Sequence, residues 1–88
     1  MTWYVYILKC SNGSLYTGVT TDISRRVKQH KQGQGADFTR SFGVEKLCYS
    51  EEFLNKSEAF SRETQIKRWT RKKKLALIVG DKDLLKKL

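Results

Sequence analysis

The order of apolar, turn and helical signals predicts an α+β fold: one small domain with a three-stranded sheet flanked by helices, in the order β-β-α-β-α-α. Three observations predict it. An aromatic, β-branched run near the N-terminus meets a hairpin turn signal and then a second such run. A third strand-like run follows a glycine-rich stretch, and capped helical segments fill the remainder. The chain has 88 residues, enough for one core that buries roughly two-thirds of the surface of the unfolded chain.

WYVYILKC, residues 3–10, reads as the first strand, and SLYTGVT, residues 14–20, as its return. The turn SNGS admits two registers. A two-residue loop at Asn12-Gly13 pairs Ser11 with Ser14 and sends Tyr6 and Tyr16 to opposite faces. A three-residue loop with a left-handed Gly13 pairs Cys10 with Ser14 and puts Tyr6, Leu8 and Tyr16 on one face. Asp22 or Thr21 caps a helix over residues 23–32 that stops at Gly33. QGQGADFTRSFG holds three of the six glycines and reads as a loop. VEKLCYSEEF, residues 44–53, is the third strand. Asn55, with Glu58 three places on, resembles a capping box for a helix over residues 56–69. Thr70 starts another that ends at Gly80, and DKDLLKKL adds a tail or a short amphipathic turn. The expected organisation is therefore a domain over residues 1–80 with a tail over 81–88.

Composition narrows the function. Lys and Arg number 18 against 9 Asp and Glu, a net charge of +9. The excess is one-sided: residues 55–88 carry 11 basic and 4 acidic side chains, residues 1–54 only 7 and 5. Such a field suits a polyanion, most often nucleic acid. No apolar run approaches the ~20 residues of a membrane span. The N-terminus enters a strand without a basic leader, so a signal peptide is not expected. Cys10 and Cys48 lie far apart with no CxxC partner, which fits two reduced, partly buried thiols in the cytoplasm. With one histidine they do not make a closed zinc set.

Two helices carry charged or titratable groups where apolar ones belong. On the first, Arg26 and His30 sit one turn apart beside Ile23 and Val27. On the later helix, Glu63 lies within the stripe made by Ala59 and Ile66. Burying an unpaired charge is costly, so such groups pair, bind something or line a crevice. One reading is a salt bridge between Arg26 and Glu63 with a hydrogen-bonded core-edge His30. The other is a single site: a guanidinium for a phosphate, a carboxylate for a metal ion and an imidazole as auxiliary donor or base. The run Lys67, Arg68, Arg71, Lys72, Lys73 and Lys74 is a solvated helix face or a phosphate track. Arg25, Lys28 and Arg40 join it as candidate nucleic-acid contacts, with Arg40 and Phe38 in a loop that orders over bound nucleic acid. Trp69 interrupts the run, either as a core anchor or as a stacking platform for an unpaired base.

These spacings bring in a family. The chain resembles the GIY-YIG nuclease domain, and most closely its small stand-alone bacterial (URI-type) members, over residues 3–79. Tyr4-Val5-Tyr6 stands in the GIY place and Tyr16-Thr17-Gly18 in the YIG place, with Tyr16 ten residues after Tyr6. Arg26 follows Tyr16 by ten and matches the family's catalytic arginine. His30 matches a histidine of some members, and Glu63, in SEAFSRETQIKRW, the metal-binding glutamate. The first triplet departs as YVY. Val19 stands where certain repair nucleases have lysine, and the asparagine that some members carry after the glutamate has no counterpart.

The resemblance implies metal-dependent hydrolysis of phosphodiester bonds, structure-selective on DNA more than RNA, in repair or recombination. It implies that Glu63 holds one Mg²⁺ or Mn²⁺, that Arg26 binds the scissile phosphate, that Tyr16 orients or deprotonates the attacking water, and that Tyr6 hydrogen-bonds within the site. The alternative is a non-catalytic nucleic-acid-binding module that keeps the fold with a weakened site. A protein partner or self-association would supply contact area that so small a domain lacks.

Overall fold

The computed structural model describes residues 1–35 and 37–88, the side chains of Asp37 and Phe38 excepted. Its elements are β1 (Trp3–Cys10), β2 (Leu15–Thr20), α1 (Ile23–Lys31), α2 (Asp37–Phe42), β3 (Val44–Phe53), α3 (Lys56–Lys67), α4 (Arg71–Val79) and α5 (Lys82–Lys87). The strands form one antiparallel sheet in the order β2-β1-β3. The expected α+β class and three-stranded sheet hold, with β1 central.

The hairpin takes the three-residue loop. Cys10 donates its amide to the Ser14 carbonyl at 2.8 Å, and Gly13 sits at φ +88°, a region that glycine enters without steric penalty. Leu8 therefore lies opposite Tyr16 and Tyr6 opposite Gly18. Because side chains alternate along a strand, Tyr6, Leu8 and Tyr16 share one face and Val5 and Ile7 point to the other. A further register shift between Ile7 and Leu8 bulges β3 at Cys48.

Helices cover both faces. On the Val5–Ile7 face, Ala59 and Ile66 of α3 complete a fully buried cluster, with Trp3, Leu15, Val19, Phe53, Trp69, Leu77 and Ile78 packed around it. α1 lies on the Tyr6 face, where His30 is its buried residue. Caps set these helices. Asp22 accepts from the Arg25 amide at 3.1 Å, Asn55 from Glu58 at 2.8 Å and Thr70 from Lys73 at 3.2 Å. Gly33 and Gly80, both at φ +75°, follow the ends of α1 and α4.

Two expectations need correction. The stretch over residues 33–43 is not a loop throughout: it holds α2, closed by the Gly43 amide donating to the Thr39 carbonyl at 2.8 Å. Six residues with a polar composition leave too little periodicity to reveal a helix. α3 ends at Lys67, two residues before the expected Trp69, because Arg68 and Trp69 turn back to bond Gln65 and Ile66 at 3.2 and 3.0 Å. The expected role of Phe38 lies outside the described residues. The tail forms α5, capped by Asp81.

Candidate active site

The site grows from a buried pair on the Tyr6 face. Tyr6 and His30 are each 1% exposed, and the Tyr6 hydroxyl lies 2.9 Å from His30 Nε2. Two glycines make room for them. The Tyr6 ring crosses Gly18, where a Cβ would come within 2.5 Å of Cζ. The His30 ring presses on Gly35, where a Cβ would come within 2.6 Å of Cε1. The second ring nitrogen, Nδ1, lies 2.6 Å from Thr39 Oγ1 on α2, and Thr39 is fully buried.

Burial governs the protonation of both groups. It pushes the Tyr6 hydroxyl up to about 12, opposed in part by a hydrogen bond from the Arg26 guanidinium, while the neighbouring Tyr16 raises it further. Tyr6 is thus a neutral donor and not a base near pH 7. Burial and then the charge of Arg26 hold His30 below its ordinary value, favouring the neutral imidazole.

Two partly exposed side chains lie beside this pair, and a third comes from the helix across the sheet. Tyr16 packs with its ring centroid 5.1 Å from His30 and 6.4 Å from Tyr6. Arg26, one turn before His30, donates to Gln29 Oε1 at 3.1 Å, and its charge acts on the Tyr6 hydroxyl. Glu63 comes from α3, the helix on the other side of the sheet. It occupies the stripe between the buried Ala59 and Ile66, so 15% of its side chain is exposed, and it pairs with Lys67 at 3.4 Å. Its carboxylate still acts on Tyr6 through space. The structure thus gathers Tyr6, Tyr16 and His30 in contact, with the charge of Arg26 acting on Tyr6 and His30 and that of Glu63 on Tyr6.

The basic candidates differ in exposure and in their contacts. Arg25, Lys28, Arg40, Arg68 and Lys72 are exposed. Lys67 pairs with Glu63, and Arg71 donates to the Gly13 carbonyl at 2.6 Å, which ties α4 to the β1–β2 turn. Lys73 lies 4.5 Å from the Trp69 ring centroid and the Arg62 guanidinium 5.1 Å from it. Trp69 also packs on the core cluster, in agreement with the anchor reading. Lys74 is half-buried, and burial and then Lys67 lower its ammonium from the ordinary lysine range. Cys10 is buried and Cys48 half-buried, both as free thiols.

Sequence reasoning missed Thr39, Gly35 and the clamp that seats α3. In that clamp Tyr49 donates to Glu51 at 2.5 Å and Arg62 pairs with Glu51 at 3.2 Å. Gly43 after FTRSF was a usable C-terminal signal for α2. Nothing in the sequence marked Thr39 as a partner of His30.

Among the described residues, no helix is long and apolar enough to cross a membrane. A UPF0213 protein of Staphylococcus aureus (strain Mu3 / ATCC 700698) is 52% identical over 75 residues, covering 85% of this chain and 92% of that protein. The solution NMR structure of the UPF0213 protein BH0048 from Bacillus halodurans is similar with a TM-score of 0.58 at 46% identity, covering 90% of this chain and 84% of that one. The solution NMR structure of EF2693 from E. faecalis gives a TM-score of 0.63 at 35% identity, with coverages of 91% and 85%. The model of the GIY-YIG catalytic domain matches residues 2–76. With that match and the tyrosine–arginine–histidine cluster at its centre, the chain belongs to the GIY-YIG family.

Proposed function

We propose that this chain is a metal-dependent endonuclease that hydrolyses phosphodiester bonds, acting on DNA rather than RNA and selecting its substrate by structure, as repair or recombination requires. The observation that carries the reading is the division of the cluster into two layers. Tyr16 and Arg26 are partly open to solvent beside the sealed Tyr6 and His30, and the partly open Glu63 acts on Tyr6 from α3. A phosphate can reach the first layer, and the second holds it in place.

In this reading Arg26 binds the scissile phosphate, where its planar fork suits two oxygens. Tyr16 orients the attacking water. Tyr6 and His30 do not meet substrate; they fix the guanidinium through the Tyr6 hydroxyl. Glu63 is the residue that would hold Mg²⁺ or Mn²⁺. Its hard oxygen donors suit either ion, and no group of three or more His, Cys, Asp or Glu gathers as a cage among the described residues. One carboxylate completed by water and substrate phosphates is a usual magnesium arrangement. The bound ion would polarise the phosphate and stabilise the leaving oxygen. Lys67 leaves Glu63 readily, since its side chain is 51% exposed and a pair of this kind is weak.

The exposed Arg25, Lys28, Arg40, Arg68 and Lys72 contact flanking phosphates, and the affinity they supply falls steeply with salt. Base-specific readout is not part of the proposal, and the cytoplasm is the proposed compartment. The test is cleavage of labelled branched, single-stranded and duplex DNA with Mg²⁺ or Mn²⁺, beside Glu63→Ala and Arg26→Ala. Cleavage that both substitutions abolish is expected. Salt-sensitive binding without cleavage on every substrate would overturn the enzyme in favour of a binding module.

A further inference from the structure

The imidazole of His30 is engaged at both nitrogens, at 2.9 Å by Tyr6 Oη and at 2.6 Å by Thr39 Oγ1. A neutral imidazole has one donor and one acceptor nitrogen, so the two contacts run in opposite senses. Two arrangements satisfy that rule. In the first, Tyr6 donates to Nε2 and Nδ1–H donates to Thr39. In the second, Thr39 donates to Nδ1 and Nε2–H donates to Tyr6, which sends the Tyr6 hydroxyl proton elsewhere. The Tyr6 residue is 1% exposed, and the neighbouring Arg26 guanidinium is a donor that cannot take its proton. A buried hydroxyl proton needs an acceptor, and Nε2 is the one at hydrogen-bonding distance. In the first arrangement Tyr6 keeps its acceptor, and the Thr39 hydroxyl proton turns to a main-chain carbonyl, as threonine hydroxyls on helices commonly do.

We propose that Thr39 is a positioning residue: its hydroxyl oxygen accepts from Nδ1–H, holds His30 as the Nδ1–H tautomer, and so turns the Tyr6 proton toward His30 and the Tyr6 lone pair toward Arg26. The short helix α2 is then a working part of the site. Gly35 serves the same end, because the absence of a side chain there lets the chain before α2 close onto the ring. A hydrogen-bonded partner one step behind a working side chain commonly fixes both its tautomer and its orientation. The tautomer claim stands apart from the nuclease reading above. Its consequence for cleavage rests on the nuclease reading above.

His30 is the single histidine of the chain, so its ring nitrogens can be read without ambiguity in the whole protein. The experiment is two-bond ¹⁵N–¹H correlation of the labelled imidazole in the parent, Thr39→Ser and Thr39→Val proteins. The expected result is Nδ1–H in the parent, the rarer form of free histidine. Thr39→Ser should retain it, and Thr39→Val should lose it or show a mixture. Cleavage by Thr39→Val should fall by roughly 10–100-fold, with recovery in Thr39→Ser. A parent protein protonated at Nε2 would overturn the proposal, as would a Thr39→Val protein with the parent tautomer. Should Thr39→Val not fold, the parent and serine spectra still decide. Should the parent cut no DNA at all, the nuclease reading fails while the tautomer result still judges Thr39.

Discussion

Tyr6 lies across Gly18 on the neighbouring strand, so closely that a methyl group at Gly18 would overlap the phenol ring and its hydroxyl. The ring cannot simply swing aside, because it is buried and bonded to His30 at its far end. Gly18→Ala should therefore displace the ring and break the bond to His30. The expected loss is roughly 1–3 kcal/mol, in the range of overpacked cores. Denaturant titration measures it, and a variant as stable as the parent would show that the ring has room.

The pH dependence of stability has two limbs. His30 is held below its ordinary value of 6.5 by burial and then by Arg26. As acid is added, the unfolded chain takes up this proton before the folded one. The stabilisation is full above pH 6.5 and is lost as the pH falls through the depressed folded value. Tyr6 and Tyr49 act in the opposite direction. Burial leads in both cases, raising each from 10.0 to about 12, and for Tyr49 the Glu51 carboxylate adds to it. Their contribution is full below pH 10 and lost as the pH climbs through about 12. Unfolding midpoints across pH, with tyrosinate absorbance followed in the folded protein, test both limbs. Tyr6 and Tyr49 should keep their protons past pH 10 in the folded protein.

The seating of α3 depends on Glu51, which receives both the Tyr49 hydroxyl and the Arg62 guanidinium. The two ends of the ion pair are 23% and 27% exposed, so solvent weakens it only in part. Glu51→Ala leaves a half-buried phenol and a guanidinium without their acceptor. The expected cost is about 1–3 kcal/mol. In a double-mutant cycle with Arg62→Ala the two losses should be less than additive. Additive losses would show that the pair does not act as a unit.

What the sequence revealed of this site follows from how locally each part is determined. Arg26, His30 and Glu63 were legible because caps at Asp22 and Asn55 set the start of each helix, and helical periodicity then placed the three beside apolar stripes. The shared face of Tyr6 and Tyr16 was legible only as one of two registers, since Asn12-Gly13 suits both turns. The structure decides for the loop with Gly13 at φ +88°. Thr39 was not legible. Its helix is six residues long, and its role appears only when the His30 ring folds back on it from the helix before. The Tyr49–Glu51–Arg62 clamp was hidden for a similar reason, since strand and helix meet there only after the sheet has formed.

Thr17 separates the two faces of β2 at the site. It follows Tyr16 in the chain, points the other way toward the Ile7 cluster, and is 4% exposed. Its Oγ1 is buried without a hydrogen-bond partner among the described residues. A hydroxyl buried without a protein partner costs on the order of 1–3 kcal/mol. Valine has nearly the same shape and no such group, and Ile7 and Val19 supply an apolar setting for its methyls. Thr17→Val should therefore raise stability, by roughly 1 kcal/mol after the usual imperfect repacking. Chemical denaturation with an unchanged slope measures the gain. A loss of stability instead would mean that the hydroxyl is met by an ordered water between β2 and α3. In that case Thr17→Ser, which keeps the hydroxyl, should lie closer to the parent than valine does.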